Sequence, residues 1–360
     1  MKRAWIFLLL SVLLVCLLGG CAKEPAATPE NGEAGGEAAE EEVFELTFHY
    51  FGPEMIPPGH WSNEAAKRIE EETGGRVKIN TYFSESLLKY DDTITGTASG
   101  VADISFIDSG QFAGQFDLNM VFGRFLPQTP PQTVTTQVFR EMIDTIPELN
   151  AELEAKGLRW LSAFAVAGEH LHTNGRQVRV PDDVKGMKIA VVGEPARWFE
   201  SLGAAPVGVA AGDFYMSLER GLVEGQWSHW PAVDAFKLTE VTNCHTLFGE
   251  NGANLAFTGY IINLKTWESL PPDIQKIMVE AYHWAGDEIL KANQAEAESA
   301  IASAREKGST FIELSAEELR LWEETMKSIN EEWIASVGAK GLPAEKVFTE
   351  LFALLDKYGK

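Results

Sequence analysis

From Val43 onward the apolar residues follow two alternating periods. "VFELTFHYF" places apolar side chains at every second position and predicts a strand. "WSNEAAKRIEEETGG" then turns Ala65, Ala66 and Ile69 to one side at helical spacing, and Gly74-Gly75 predicts its stop. "RVKINTYF" predicts a second strand, "DDTITGTASG" a short helix and "VADISFID" a third strand. Strand and helix in alternation imply a parallel sheet flanked by helices. "TVTTQVFREMIDTIPELNAELEAKG" is helical, with Pro147 marking a break or a new start. "LRWLSAFAVA" predicts a strand able to cross toward a second unit. "GMKIAVVG", "EPARWFESLG", "GDFYMSLERG" and "VEGQWS" then predict strand, helix, helix and strand. The last hundred residues are mainly helical. Ile274, Ile277, Met278, Ala281, Ala285 and Ile289 share one face of a long helix between Pro271-Pro272 and Gly308. Ser315 and Glu318 form a capping box for the next helix.

These elements predict an α/β fold of two lobes acting as a hinged clamp. Its sheets are mostly parallel and flanked by helices, with crossing strands and a long C-terminal helix. A ligand is expected between the lobes, at the carboxyl ends of the strands. The expected divisions are a leader at 1–20, a tether at 21–42, lobe 1 at 43–165, lobe 2 at 166–264, and a helical segment at 265–360 packing across both.

The N-terminal pattern differs from the rest. Lys2 and Arg3 precede an apolar run that ends in Leu18-Gly19-Gly20-Cys21. This is the plan of a secretory signal, and its end resembles a bacterial lipobox. That resemblance implies cleavage before Cys21 and a lipid on its sulfur, anchoring the protein at the outer face of the cytoplasmic membrane. "AKEPAATPENGEAGGEAAEEE" has no apolar period and predicts a flexible tether. Of the three cysteines, Cys16 leaves with the signal and Cys21 is blocked, so Cys244 remains without a disulfide partner.

Charge and motifs exclude more than they select. The formal net charge is −23, which argues against a nucleic-acid partner. No H-E-x-x-H, G-x-S-x-G or P-loop is present, so a secreted hydrolase is a weak alternative. An anchored sensor module is another use of the same clamp. His170 and His172 would share one face of a strand with Glu169 pointing away, so no metal site is expected, and no cofactor.

"VPDDVKGMKIAVVGEPARWFESLGAAPVGVAAGDFYMSLERGLVEGQ" resembles the second-domain signature of the solute receptors of TRAP (tripartite ATP-independent periplasmic) transporters, the dicarboxylate-receptor-like family. "ETGGRVKINTYFSESLL", "TASGVADISFID" and "IINLKTWESLPPDIQKIM" are similar to other segments of that family, in its order. The resemblance implies a non-enzymatic receptor. It would deliver a small ligand to an ion-gradient-driven membrane permease.

Departures from the family pattern bear on the ligand. Ala190 stands where the family reads a carboxylate with Arg, and Glu169 stands where many members carry another Arg. Ser228 and Trp227 replace the Asn and Glu of "DGQENP", and a frequent aromatic position matches Ala211. Trp227 and Trp230 with Glu169 then suggest an aromatic pocket for an amine, a quaternary ammonium compound or a neutral molecule. His229, Asp108, Tyr50, Trp198 and Phe257 are expected around it. The alternative is a carboxylate ligand held by a replacement Arg, with Arg124, Arg179 and Arg197 as the choices.

Overall fold

The computed structural model describes residues 42–191 and 193–359. The expected leader, Cys21 and nearly all of the tether lie outside the described residues. Two sheets carry the fold. The first contains β1 (Phe44–His49), β2 (Val77–Tyr82), β3 (Ile104–Asp108), β4 (Leu158–Ala165) and β10 (Phe257–Asn263). Its order is β2-β1-β3-β10-β4. The second contains β5 (His170–Thr173), β6 (Lys188–Ala190), β7 (Ala205–Val207), β8 (Gly225–Ser228), β9 (Cys244–Leu247) and β11 (Thr310–Glu313), in the order β11-β9-β5-β8-β6-β7.

Both sheets are mixed. β1 pairs in parallel with β2 and β3, while β10 runs antiparallel to β3 and β4. In the second sheet β5 is antiparallel to β8 and β9, and β8-β6-β7 and β9-β11 are parallel. The division of the chain differs from the one expected. Phe257–Asn263, placed in lobe 2 by its position, is an inner strand of the first sheet. Thr310–Glu313, placed among C-terminal helices, extends the second. All seven residues of β10 are buried. Such an apolar run suits a strand covered on both faces, whichever sheet it joins.

Helices cover both sides of each sheet. Leu46, Phe48, Ile104 and Tyr260 pack beneath the Pro57–Glu72 helix and the first half of the long Pro272–Glu306 helix. Phe112, Phe139, Trp160 and Phe257 fill the opposite face with the Gln132–Thr145 and Ala344–Tyr358 helices. The long helix has 35 residues, roughly 50 Å at the α-helical rise. Its Ile274, Met278, Ala281 and Ala285 serve the first sheet, and its Ala300 and Ala304 serve the second. One apolar seam thus ties both lobes. The local signals held at several ends. Pro147 opens the Pro147–Glu154 helix, Ser315 and Glu318 close their capping box, and Gly74 and Gly75 adopt φ +64° and +85°.

Candidate functional site

The lobes are joined by extended segments that lie side by side. Leu255 N donates to Arg124 O at 3.0 Å, Asn254 N to Leu126 O at 2.8 Å, and Thr129 N to Gly252 O at 2.8 Å. Glu169 and Ala253 exchange backbone bonds at 2.8 and 2.9 Å. Glycine permits this approach. A Cβ on Gly168 would lie 2.0 Å from Asn251 O, and one on Gly252 would lie 2.4 Å from the Gly168 carbonyl carbon.

Glu169 is enclosed within this crossing. Its Oε2 accepts both the Trp227 Nε1–H (2.5 Å) and the Asn254 Nδ2–H (3.0 Å). Burial pushes its carboxyl up to about 7, and the two hydrogen bonds only partly oppose this. Asn254 holds φ +67°, a left-handed conformation that Asn tolerates. No residue alone announces this pairing in the sequence.

The two tryptophans of "EGQWSHW" separate. Trp227 points from β8 into the core of the second lobe, 5% exposed, between Phe199 and Phe248 at centroid distances of 5.3 and 5.1 Å. Trp230 lies beyond the end of the strand, 4% exposed, against His172 (4.7 Å), His245 (4.9 Å) and Phe311 (5.8 Å, stacked). They occupy different apolar clusters, so the single aromatic cage expected from the sequence is not formed. Glu169, its expected countercharge, already serves Trp227 and Asn254.

Other expected ligand residues also have structural work. Asp108 ends β3 as foreseen, but its carboxylate caps Gly110 N and Gln111 N and accepts from Tyr90 Oη–H at 2.7 Å. His229 caps the Trp230–Ala235 helix through Nδ1, accepting from Ala232 N at 3.2 Å. Tyr50 packs on Phe51 and Phe106, Trp198 on Phe125, and Phe257 on Phe112 and Trp160. All three are buried, and none lines either of the two grooves described below. Ser228 Oγ is buried and has no partner among the described residues.

His172 and His245 form a buried pair, Nδ1 to Nδ1 at 2.9 Å. His172 Nε2 lies 3.1 Å from Ser228 O and donates to it. Its Nδ1 is then the acceptor, and His245 Nδ1 carries the shared proton. His245 Nε2 has no partner among the described residues. Among the described residues no group of three metal-ligating side chains gathers.

The arginines separate clearly. Arg179 is exposed and engaged by Glu318, with Nε–Oε1 at 2.5 Å. Arg124 is 1% exposed, lies 4.8 Å over the Trp333 ring and donates from Nε to Met120 O at 3.0 Å. Its Nη1 has no partner among the described residues. Burial lowers its pKa to about 10, Glu194 raises it and Arg197 lowers it, so it stays charged at neutral pH. Arg124 and Arg197 both line a groove of about 970 Å³ with Phe116, Glu194 and Trp333. Elements of both lobes face each other across it. Trp333 was not foreseen, because the helical period of its segment marks a core face and not what lies above it. A second groove, of about 1230 Å³, has His170 and Trp230 among its walls.

The family model for the bacterial extracellular solute-binding proteins of family 7 matches residues 55–336. The chain belongs to this family. It is 27% identical over 317 residues to the C4-dicarboxylate-binding periplasmic protein of Rhodobacter capsulatus, covering 84% of this chain and 89% of that one. A TRAP periplasmic solute-binding protein of Desulfovibrio salexigens, in an open complex, superposes with a TM-score of 0.76 at 25% identity, covering 88% and 97% of the two chains. A TRAP solute-binding protein of Rhodoferax ferrireducens in complex with benzoate superposes at 0.72 with 21% identity, covering 88% and 98%. The protein is therefore an extracytoplasmic solute receptor of the TRAP type, a class of receptors rather than enzymes that works with membrane permease subunits. No helix among the described residues is long and apolar enough to cross a membrane.

Proposed function

We propose that the solute is a small organic acid whose carboxylate is met by Arg124 and Arg197 between the lobes. One observation carries this reading. Arg124 is a buried cation that lines the interlobe groove and, among the described residues, keeps an Nη1 without a partner. Burying such a charge is costly unless an anion and hydrogen bonds compensate it. A carboxylate does both, because the guanidinium fork matches its two oxygens. The Trp333 and Phe116 rings offer apolar surface beside it, which suits an aromatic or short aliphatic acid. The relatives support the same class: one is described as binding C4-dicarboxylates and another holds benzoate. An amine is disfavoured, since the tryptophans separate and Glu169 is already engaged.

Calorimetry with benzoate, succinate and choline tests this. At least one acid should bind and choline should not. Arg124→Gln and the exposed Arg197→Gln should each weaken the acid about tenfold or more, the scale of a hydrogen bond to a charged group. Choline binding with no acid binding, or unchanged acid affinity in both variants, would overturn the proposal.

Delivery to the permease would start from a membrane-tethered receptor, with Cys21 as the lipid site. Its support is the Leu18-Gly19-Gly20-Cys21 ending. Cys21→Ser should leave the membrane fraction or remain as a larger precursor. Identical fractionation and gel migration of variant and parent would remove the anchor.

A further inference from the structure

The groove of about 1230 Å³ shares no lining residue with the arginine groove. Its walls come from both lobes. The Gln132–Thr145 helix contributes from the β4 side, the Trp230–Ala235 helix from the second sheet, and the long helix bridges them.

His170 gives this groove a defined polar group. Its Nδ1 accepts the Phe248 N–H at 3.2 Å. In the neutral imidazole the proton must then sit on Nε2. Burial, with His245 nearby, holds the ring neutral by lowering its pKa to about 3. The residue is 2% exposed and lines the groove, yet among the described residues nothing accepts from Nε2. The ring is buried but Nε2 opens onto the groove, so this donor of fixed tautomer is free for an acceptor placed there.

The charges around it exclude two ligand classes. Arg140 is held by His283 O and Asp287, each at 2.9 Å, and Lys291 by Glu288 at 2.7 Å. Arg140 Nε keeps no partner among the described residues, but an anion would meet Glu141, Asp144, Glu250, Asp287 and Glu298 against two cations that each already pair with a carboxylate. An ammonium group would set donor against donor at His170. What remains is polar and uncharged in demand. Gln137, Asn251 and Glu250 line the groove with side chains that make no hydrogen bond among the described residues, and Trp230 and Pro231 add apolar surface.

We propose that this groove binds a neutral polyhydroxylated molecule, a sugar or polyol, one of whose oxygens accepts the His170 Nε2–H. Its other hydroxyls donate to Glu250 and the amide oxygens, and its C–H groups lie on Trp230 and Pro231. Because both lobes supply walls, occupancy also restrains the angle between them. The site does not depend on the acid-binding reading.

The test is NMR of the protein with ¹⁵N-labelled histidine, titrated with glucose, maltose or mannitol, and with choline or benzoate. The His170 Nε2–H signal should shift with at least one of the three polyols, also in the presence of saturating benzoate. Gln137→Trp, at an exposed position on the wall, should weaken that response at least tenfold without touching the core. Three results would each overturn the proposal: a shift with choline or benzoate alone, no shift with any polyol, or an unchanged response in Gln137→Trp. Signal assignment uses His170→Gln. Should that variant fail to fold, the Gln137→Trp comparison still decides.

Discussion

Between pH 7.5 and 5 the protein should lose most of its stability, starting from the second lobe. His170, His172, His229 and His245 are all buried there, and burial lowers each pKa, to about 3 for His170, about 4 for His229 and His245, and well below 6.5 for His172. A histidine depressed in the folded state stabilises the fold above its unfolded pKa near 6.5, and that stability fades as pH falls below it. At pH 5 each such group costs on the order of 2 kcal/mol. Four together approach the whole stability of a typical domain, about 5–15 kcal/mol. Carboxyls raised by burial, Asp108, Asp144, Glu169 and Glu296, work in the opposite direction and offset part of this loss. Thermal melts at pH 7.5, 6 and 5 measure the effect. An unchanged melting temperature across that range would show that these rings are protonated without cost. His172→Gln should flatten the dependence, since one of the coupled rings is removed.

Replacing Glu169 by Gln should stabilise the protein at pH 8 by up to about 3 kcal/mol, which is the rise of its pKa from 4.5 to about 7 expressed as free energy. The sign follows from the direction of the shift. A raised carboxyl favours the fold fully below its unfolded pKa, and that contribution is lost as pH rises through 7. Gln cannot ionise, so it escapes the loss. Geometry favours the exchange as well. Trp227 Nε1–H and Asn254 Nδ2–H both converge on Oε2, and one amide oxygen in that place can accept both. The readout is the difference in unfolding free energy between variant and parent at pH 8 and pH 4.5. A gap that is the same at both values would mean that Glu169 carries no buried charge in the fold.

Much of the second prediction was hidden in the chain, while much of the fold was not. The capping box at Ser315, the helix start at Pro147 and the long seam from Ile274 to Ile289 are local, and each depends on residues within a turn or two. β5, β9 and β11 have four residues each and β7 has three, too short to show a period of two. The arginine question was legible only in part. Ala190 and Glu169 raised the expectation that the carboxylate is not read where the family resemblance places its Arg. Which of Arg124, Arg179 and Arg197 stands in a groove depends on Glu318, which engages Arg179, and on Trp333, which underlies Arg124.

The sequence by itself determined the longer strands and the helices, the α/β class and the family, because periodicity, caps and motif order are written along the chain. Tertiary structure alone decided which sheet receives Phe257–Asn263, since a strand buried on both faces reads the same in either. It also parted Trp227 from Trp230, because chain direction sets the face a side chain leaves but not the cluster that covers it. Glu169 meets Trp227 and Asn254 across 58 and 85 residues. Its pKa is the product of that enclosure, and enclosure exists only once the crossing strands have closed around it.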